Sequence, residues 1–243
     1  MRSDCNACSL RGAMICAEVS VEQLGELHTC IEDLTIRPGQ SIFQADAPSA
    51  AVFCICAGFV KLVKYSSHSQ RIVCIVQAGG VAGMEALFSP TFKHTAIAMG
   101  EVLACRMPAA SFRHMVETNP SLQRRLFQYA HQAMLEAETW LSELAGGHAQ
   151  TRERMARLLL RLRDGGTDRI HRFGLADIAE MLGTTVETVS RIHSEFIRVG
   201  LLTKSKSAAP NRCYSADIAG LERVADALDI DRGVPGRIVP FKK

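Results

Sequence analysis

The chain reads as an α+β protein: a β-rich N-terminal part, one long helix, and a small helical C-terminal part. Three observations predict this. Short apolar runs broken by Gly, Pro and Ser fill the stretch from about Leu34 to Pro108. An apolar stripe at helical spacing follows from Leu126 to Leu144. After "AGGH" at 145–148, helical segments alternate with polar turns. The 243 residues are 47% hydrophobic and 22% charged, enough for one large domain or two modest ones.

The N-terminal segment, residues 1–30, opens with "SDCNACSLRGAMICAE" at 3–18. Cys5, Cys8 and Cys16 stand within twelve residues on a polar leader expected to be exposed. The leader lacks the apolar run of a signal peptide. The longest apolar stretch, "AAVFCICAGFV", is too short to cross a bilayer. A cytoplasmic chain with no membrane partner is the expectation. Nine cysteines, an odd number, in a reducing compartment argue against a disulfide framework. Some thiols should be core filler and some metal ligands.

Residues 31–110 are expected to form a compact β-domain. "SAAVFCICAGFVKLVKYSSHSQRIVCIVQAGGVAGMEALF" reads as strands separated by turns. Cys54, Cys56 and Cys74 fall inside those strands as small buried hydrophobes. Cys30 follows His28 in "LGELHTC", a predicted helix, and should pack on the β-domain.

Residues 111–145 are expected to be one continuous helix. Leu126, Ala130, Ala133, Ala137, Trp140 and Leu144 are spaced 4-3-4-3-4, a heptad stripe. Phe127, Met134 and Leu141 repeat every seven residues beside it. One row can pack on the β-domain and the other on a partner helix, so a homodimer is predicted, with the six-residue stripe at its interface. Glu136 and Glu138 flank that stripe, and like charges near a two-fold axis would keep the dimer marginal.

Residues 148–243 carry 17 Lys/Arg against 12 Asp/Glu, whereas residues 1–147 carry 11 against 13. A basic C-terminal part suggests a polyanion partner. The stretch "FGLADIAEMLGTTVETVSRIHSEFIRVGLL" has the pattern of a helix-turn-helix. Two tightly crossed helices need a small residue at the contact, a Gly at the turn and a β-branched anchor, supplied by Ala179, Gly183 and Val189. Ile178, Leu182, Val189, Ile192 and Phe196 supply the core, and Thr184 or Thr185 can cap the second helix. Glu187, Ser190 and Arg191 then share one face near the start of that helix, with Thr185 and Thr188 beside them. Arginine can bond guanine O6 and N7, glutamate can accept from cytosine N4, and serine adapts to either. "LLTKSKSAAPNRCYS" reads as a β-hairpin wing, with Thr203, Lys204, Lys206 and Arg212 in reach of phosphates. Cys213, in the wing strand, is read as structural.

A β-domain, a dimer helix and a winged helix-turn-helix, in this order, resemble the cyclic-AMP receptor–FNR superfamily of bacterial transcription regulators. The resemblance covers nearly the whole chain and implies a β-roll, cyclic-nucleotide-binding-like sensory domain. "ETVSR" at 187–191 matches the E-x-x-S-R motif of the FNR branch, which reads inverted repeats of TTGAT-type half-sites. The phosphate cassette of the cyclic-nucleotide binders has a Gly-Glu pair followed by Arg-Ser. Here "GGVAGMEALFSPTFKHTAIA" keeps Gly83 and Glu85, but His94 and Thr95 stand in the Arg-Ser place. The cyclic phosphate would lack its bidentate partner, so no cyclic nucleotide is expected.

The leader spacing C-x2-C-x7-C at 5, 8 and 16 resembles the N-terminal cysteine cluster of oxygen-sensing FNR proteins. Their fourth ligand lies just before a proline leading into the dimer helix, the place of Cys105 in "VLACRMPAASF", with Cys30 as its competitor. The resemblance implies a [4Fe–4S] cluster on Cys5, Cys8, Cys16 and Cys105. A zinc site on the same thiolates and a redox thiol sensor stay open as alternatives.

The reading is an oxygen-responsive regulator in which an intact cluster favours dimerisation and binding to double-stranded DNA, with RNA polymerase as a further partner. Within the same fold the rival is a haem-based gas sensor using a ligand such as His68 or His94. From another class the rival is a small-molecule-binding module or enzyme. No Ser/His/Asp order, phosphate-binding Gly loop or paired carboxylates support catalysis, so a non-enzyme is expected.

Overall fold

The computed structural model describes residues 11–17, 19, 30–66, 69–145, 150–163, 167–204 and 213–226. The chain divides into two units, residues 1–141 and 142–243. The architecture is α+β. Among the described residues, no helix is long and apolar enough to cross a membrane.

The first unit is built on eight strands: β1 (Glu32–Ile36), β2 (Ser41–Phe43), β3 (Ala51–Ala57), β4 (Phe59–Ser66), β5 (Ser69–Gln77), β6 (Val81–Ala82), β7 (Thr95–Ala98) and β8 (Val102–Pro108). They form two four-stranded sheets, β1-β8-β3-β6 and β2-β7-β4-β5, with antiparallel pairing throughout. The strand order is far from the chain order, so residues remote in sequence meet across a sheet. Val52, Ile55, Val60, Ala96 and Val102 are shielded completely from solvent and fill the core. Cys54 is buried as expected, whereas Cys56 and Cys74 are only half-buried.

The leader departs from the expected exposed segment. After a 3-10 turn at Arg11–Ala13, Met14, Ile15, Cys16 and Val19 are buried and join the β-domain core. Burying side chains as large as Met14 and Ile15 is worth about 1.5–3 kcal/mol each, which outweighs the polar flanks. Arg11 Nη2 ties the turn together by donating to the Val19 carbonyl at 2.8 Å. Cys5 and Cys8 lie outside the described residues. Cys30 is exposed in a turn, not packed on the β-domain.

The helix expected over 111–145 is two helices, α1 (Ala109–Thr118) and α2 (Pro120–Ala145). The cause is Pro120, whose ring pushes the preceding residue out of the helical region. Asn119 accordingly sits at φ −124° and ψ 103°. Its Oδ1 accepts from the Leu122 N–H at 3.1 Å and caps α2. Phe112 and Leu122, both fully buried, pin the break from either side.

The stripe on α2 is divided between two environments. Leu126 and Tyr129 pack on the core of their own β-domain. Ala133, Glu136 and Ala137 line a cavity of about 540 Å³ between α2 and strands β4 to β6. Tyr129 Oη closes one side, accepting from Val81 N–H at 2.8 Å and donating to Val81 O at 3.2 Å. The most exposed apolar residues of the helix are Phe127 (76%) and Met134 (53%), from the second row, with Ala130 also exposed. Leu126 therefore contributes to the core of its own chain. Glu136 lines the cavity and stays exposed on the helix. The side chains of Trp140 and Leu144 lie outside the described residues.

The second unit contains α3 (Thr151–Arg161), β9 (Arg169–His171), α4 (Leu175–Leu182), α5 (Val186–Arg198), β10 (Leu202–Lys204), β11 (Cys213–Ala216) and α6 (Ile218–Ala225). Its sheet has the order β10-β11-β9. A reciprocal capping box starts α3. Gln150 N donates to Glu153 Oε2 at 3.0 Å, and the Glu153 backbone is capped in return. Arg157 of α3 holds the last turn of α6 by donating to the Ala225 carbonyl at 2.8 and 3.1 Å.

Candidate functional site

The helix-turn-helix is set by the residues its sequence pattern required. Ala179 is 3% exposed and Val189 is fully buried, so α4 and α5 meet closely. Gly183 at φ 60° ends α4 in a left-handed turn that a residue with a Cβ adopts only with strain. Thr185 caps α5, its Oγ1 accepting from the Thr188 N–H at 3.2 Å. Ile178, Leu182, Val189, Ile192 and Phe196 are all buried. Arg152 of α3 braces the back of α5 by pairing with Glu195 at 2.9 Å and lying 5.6 Å over the Phe196 ring.

What remains outward on α5 is the candidate nucleic-acid interface. Glu187 and Arg191 are exposed, and Ser190 and Thr188 are half-exposed. No ion pair joins Glu187 to Arg191 among the described residues, so both heads are available to another molecule. Thr185 and Thr188 are bonded to each other, Oγ1 to Oγ1 at 3.1 Å, which ties Thr185 to the cap. The structure adds Val186, 47% exposed at the helix start. An apolar side chain here suits a thymine methyl group. The sequence pattern hid it, because a Val next to a cap reads as core.

The wing begins at β10, where Thr203 and Lys204 are exposed. Lys206 and Arg212 lie outside the described residues. Tyr214 of β11 packs edge-on against His193 of α5, Oη to Nε2 at 2.9 Å, and fixes the wing strand to α5. Burial pushes the His193 pKa below its ordinary value, with the charges of Arg172 and Lys204 adding to the effect.

The cysteines of the first unit form the second candidate site. Cys105, on β8, is half-buried and stands opposite Asp33 of β1 and Cys54 of β3. Its Sγ lies 3.4 Å from Cys56 Sγ and 3.8 Å from Asp33 Oδ1. The Cys56 thiol, burial and the Asp33 carboxylate together hold the Cys105 pKa well above the ordinary thiol range. Cys16 belongs to the same hydrophobic cluster. Arg125 of α2 donates to the Gly12 carbonyl at 3.4 Å, a direct link between the leader and the long helix. Among the described residues, no three His, Cys, Asp or Glu side chains converge as a metal site. With Cys5 and Cys8 outside those residues, the fit to an iron–sulfur cluster rests on donor chemistry. Cys105 is half-buried, its sulfur touching only a thiol and a carboxylate, while Cys54 is sealed in the core. Cys213 stays structural in position, its Sγ accepting from Arg169 Nη2 at 3.9 Å.

The cavity beside α2 carries acidic and neutral groups. Among the described residues its lining includes Glu85, Glu136, Cys74 and Tyr129, and no Lys or Arg. Burial and the Glu136 carboxylate push the Cys74 thiol up to about 11. His94 Nδ1 sits 3.5 Å from Glu85 Oε1, long for a hydrogen bond but close enough to favour the carboxylate. Burial opposes the charge on Glu85, but His94 and backbone N–H donors outweigh it and lower its pKa.

Two family models match the chain. A cyclic nucleotide-binding domain covers residues 34–119, and a Crp-like helix-turn-helix domain covers 153–224. The nitrogen fixation regulation protein FixK of Bradyrhizobium diazoefficiens is 26% identical over 206 residues, 82% of this chain and 85% of that protein. The transcriptional activator protein Anr of Pseudomonas aeruginosa is 24% identical, over 83% of this chain and 86% of its own. The fumarate and nitrate reduction regulatory protein of Salmonella typhi is 24% identical, over 82% of each. The solved structure of FixK2 from Bradyrhizobium japonicum shares the fold, with a TM-score of 0.69 at 22% identity, across 80% of this chain and 96% of that one. With its β-domain and its helix-turn-helix each matched in chain order, the protein belongs to the Crp/FNR family of regulators.

Proposed function

We propose that this chain is an oxygen-responsive transcription regulator that binds a TTGAT-type inverted repeat as a homodimer. The observation that carries the DNA half is the outward face of α5. There Glu187, Ser190 and Arg191 sit unencumbered beside a capped helix start. The half-site has one G·C pair, offering guanine O6 and N7 to Arg191 and cytosine N4 to Glu187. Val186 meets a thymine methyl, and Lys204, Lys206 and Arg212 neutralise phosphates.

The dimer seam runs along the exposed row of α2. Phe127, Ala130 and Met134 follow one another at spacings of three and four, and Leu141 continues the row in sequence. Ala133 and Ala137, of the first row, line the cavity, and Trp140 and Leu144 continue that row in sequence. Phe127→Glu should leave the protein monomeric by sedimentation and weaken operator binding, because two charges would face each other across the axis.

Cys5, Cys8, Cys16 and Cys105 would hold a [4Fe–4S] cluster. Bound there, it would supply an oxygen-labile iron–thiolate link between the leader and β8. The chain's own part is to transmit leader position to the dimer helix. Met14 and Ile15 anchor the leader in the core, and Arg125 joins its Gly12 carbonyl to α2. No cyclic nucleotide is part of this reading, because His94 and Thr95 stand where the cyclic-nucleotide binders carry Arg-Ser.

The deciding experiment is anaerobic purification with iron and sulfide analysis on single serine variants. Cys5, Cys8, Cys16 and Cys105 variants should each lose the cluster and bind the operator weakly without oxygen. Cys30, Cys54, Cys56, Cys74 and Cys213 variants should keep it. Retained oxygen-dependent DNA binding in all four ligand variants would sink the cluster reading and leave the DNA reading standing.

A further inference from the structure

Cys56 and Cys105 are 49 residues apart in sequence, yet their sulfurs stand 3.4 Å apart on neighbouring strands. The placement follows from the register. Cys54 is the direct partner of Cys105 across β3 and β8, and directly opposed residues share a face. Cys56 comes two residues later and returns toward that face. The register shift between Ile55 and Ala57 displaces it toward Cys105. Both side chains are half-buried, so a small reagent can reach them, whereas Cys54 is sealed.

We propose that Cys56 and Cys105 are an oxidisable dithiol, closing to a reversible disulfide in the cluster-free protein and thereby withdrawing Cys105 from metal binding. The withdrawal rests on the reading of Cys105 as a cluster ligand; the disulfide itself does not. The oxidant is a small-molecule disulfide of the glutathione class. One protein thiolate attacks a sulfur of that disulfide and releases one thiolate. The second protein thiolate attacks the protein sulfur of the mixed disulfide and releases the other. The protein gives up two protons and two electrons, and one small disulfide becomes two thiols. The bonded distance is about 2.05 Å, so closure draws together two sulfurs that already stand 3.4 Å apart on adjacent strands. Oxidative loss of a cluster would thus be followed by a stored state. A cytoplasmic dithiol reductant, not iron supply alone, would have to reopen it.

The test uses full-length protein in two forms, cluster-free and cluster-loaded, each treated without oxygen with glutathione disulfide. Free thiols are then alkylated and peptides mapped without reduction. Cluster-free protein should yield a peptide pair linked through Cys56 and Cys105, lost on dithiothreitol treatment and absent in both Cys56→Ala and Cys56→Ser. Cluster-loaded protein should not yield it while its iron–sulfur absorption persists. Absence of the linked pair from oxidised, folded cluster-free protein would overturn the dithiol. Equal linkage in cluster-loaded protein with unchanged absorption would overturn the mutual exclusion. Cluster retention by Cys105→Ser would instead strike the ligand assignment and leave a mapped disulfide standing.

Discussion

The two units assemble their chemistry in opposite ways. In the second unit, Glu187, Ser190 and Arg191 come from one helix and lie within five residues of each other. Helical periodicity alone puts them on one face, and a local cap fixes where the helix starts. In the first unit, Cys56, Cys105 and Asp33 come from three strands, with separations of 49 and 72 residues. Sheet register, not local pattern, brings them together. The difference teaches that a site on a helix is written in adjacent residues, whereas a site on a β-domain is written in strand pairing.

The comparison is broken most severely by removing the packing behind the recognition face. Phe196 is fully buried beneath α5. Phe196→Ala should destabilise the second unit by about 3–5 kcal/mol and abolish DNA binding. Cluster content should be unaffected, because the proposed ligands Cys5, Cys8, Cys16 and Cys105 belong to the other unit. Denaturation followed by operator binding and iron analysis checks both halves. Parallel loss of iron would show that the two units do not keep their chemistry apart.

Next come the contacts to DNA. Arg191→Ala should cost about 1–3 kcal/mol, concentrated at the guanine of the half-site. Lys204→Ala should weaken every sequence alike and flatten the salt dependence. Binding to operator variants across a salt series separates the two. Equal loss on all sites from Arg191→Ala would remove base readout from α5.

This contrast also explains what the sequence made legible. Ala179, Gly183 and Val189 announced the helix-turn-helix because each answers a local steric need at fixed spacing. All five expected core residues around them are buried. The break at Asn119 is equally local, since Pro120 dictates it, although the heptad stripe beyond it has the pattern of one continuous helix. The half-buried pairing of Cys56 with Cys105 was out of reach. Nothing in "AVFCICA" tells which strand lies beside it or that a bulge shifts one cysteine sideways. The burial of Met14 and Ile15 was likewise obscured by the polar residues around them. The heptad spacing marks the apolar rows of α2, but which row faces the β-domain depends on how α2 crosses the sheets.

A smaller effect tests the helix start itself. Thr185 Oγ1 satisfies the Thr188 N–H, which would otherwise lack a partner. Thr185→Ala should cost about 1 kcal/mol of stability in the second unit, and Thr185→Ser should recover most of it. Urea unfolding of the three proteins provides the measurement. An alanine variant as stable as the parent would mean that the helix start is held by packing at Val189 and not by its cap.

The smallest expected effect is a pH dependence carried by His193, where the recognition helix meets the wing. Its imidazole is bonded to Tyr214 Oη and partly buried, and Arg172 and Lys204 bring positive charge to the same place. All three causes disfavour the protonated form, so the folded pKa lies below the ordinary value of 6.5. Above 6.5 the ring is neutral in folded and unfolded chains alike, and the stabilising contribution is complete. As pH falls below 6.5 the unfolded chain takes up the proton first, and stability declines until the folded ring is protonated too. His171 shifts in the same direction through burial, so it contributes to the same decline. Thermal unfolding of the second unit should therefore weaken on mild acidification. His193→Gln, which keeps a group able to bond Tyr214, should flatten part of that slope, and the double change with His171→Gln should flatten more. A slope unchanged in His193→Gln would show that the wing contact does not discriminate between the two protonation states.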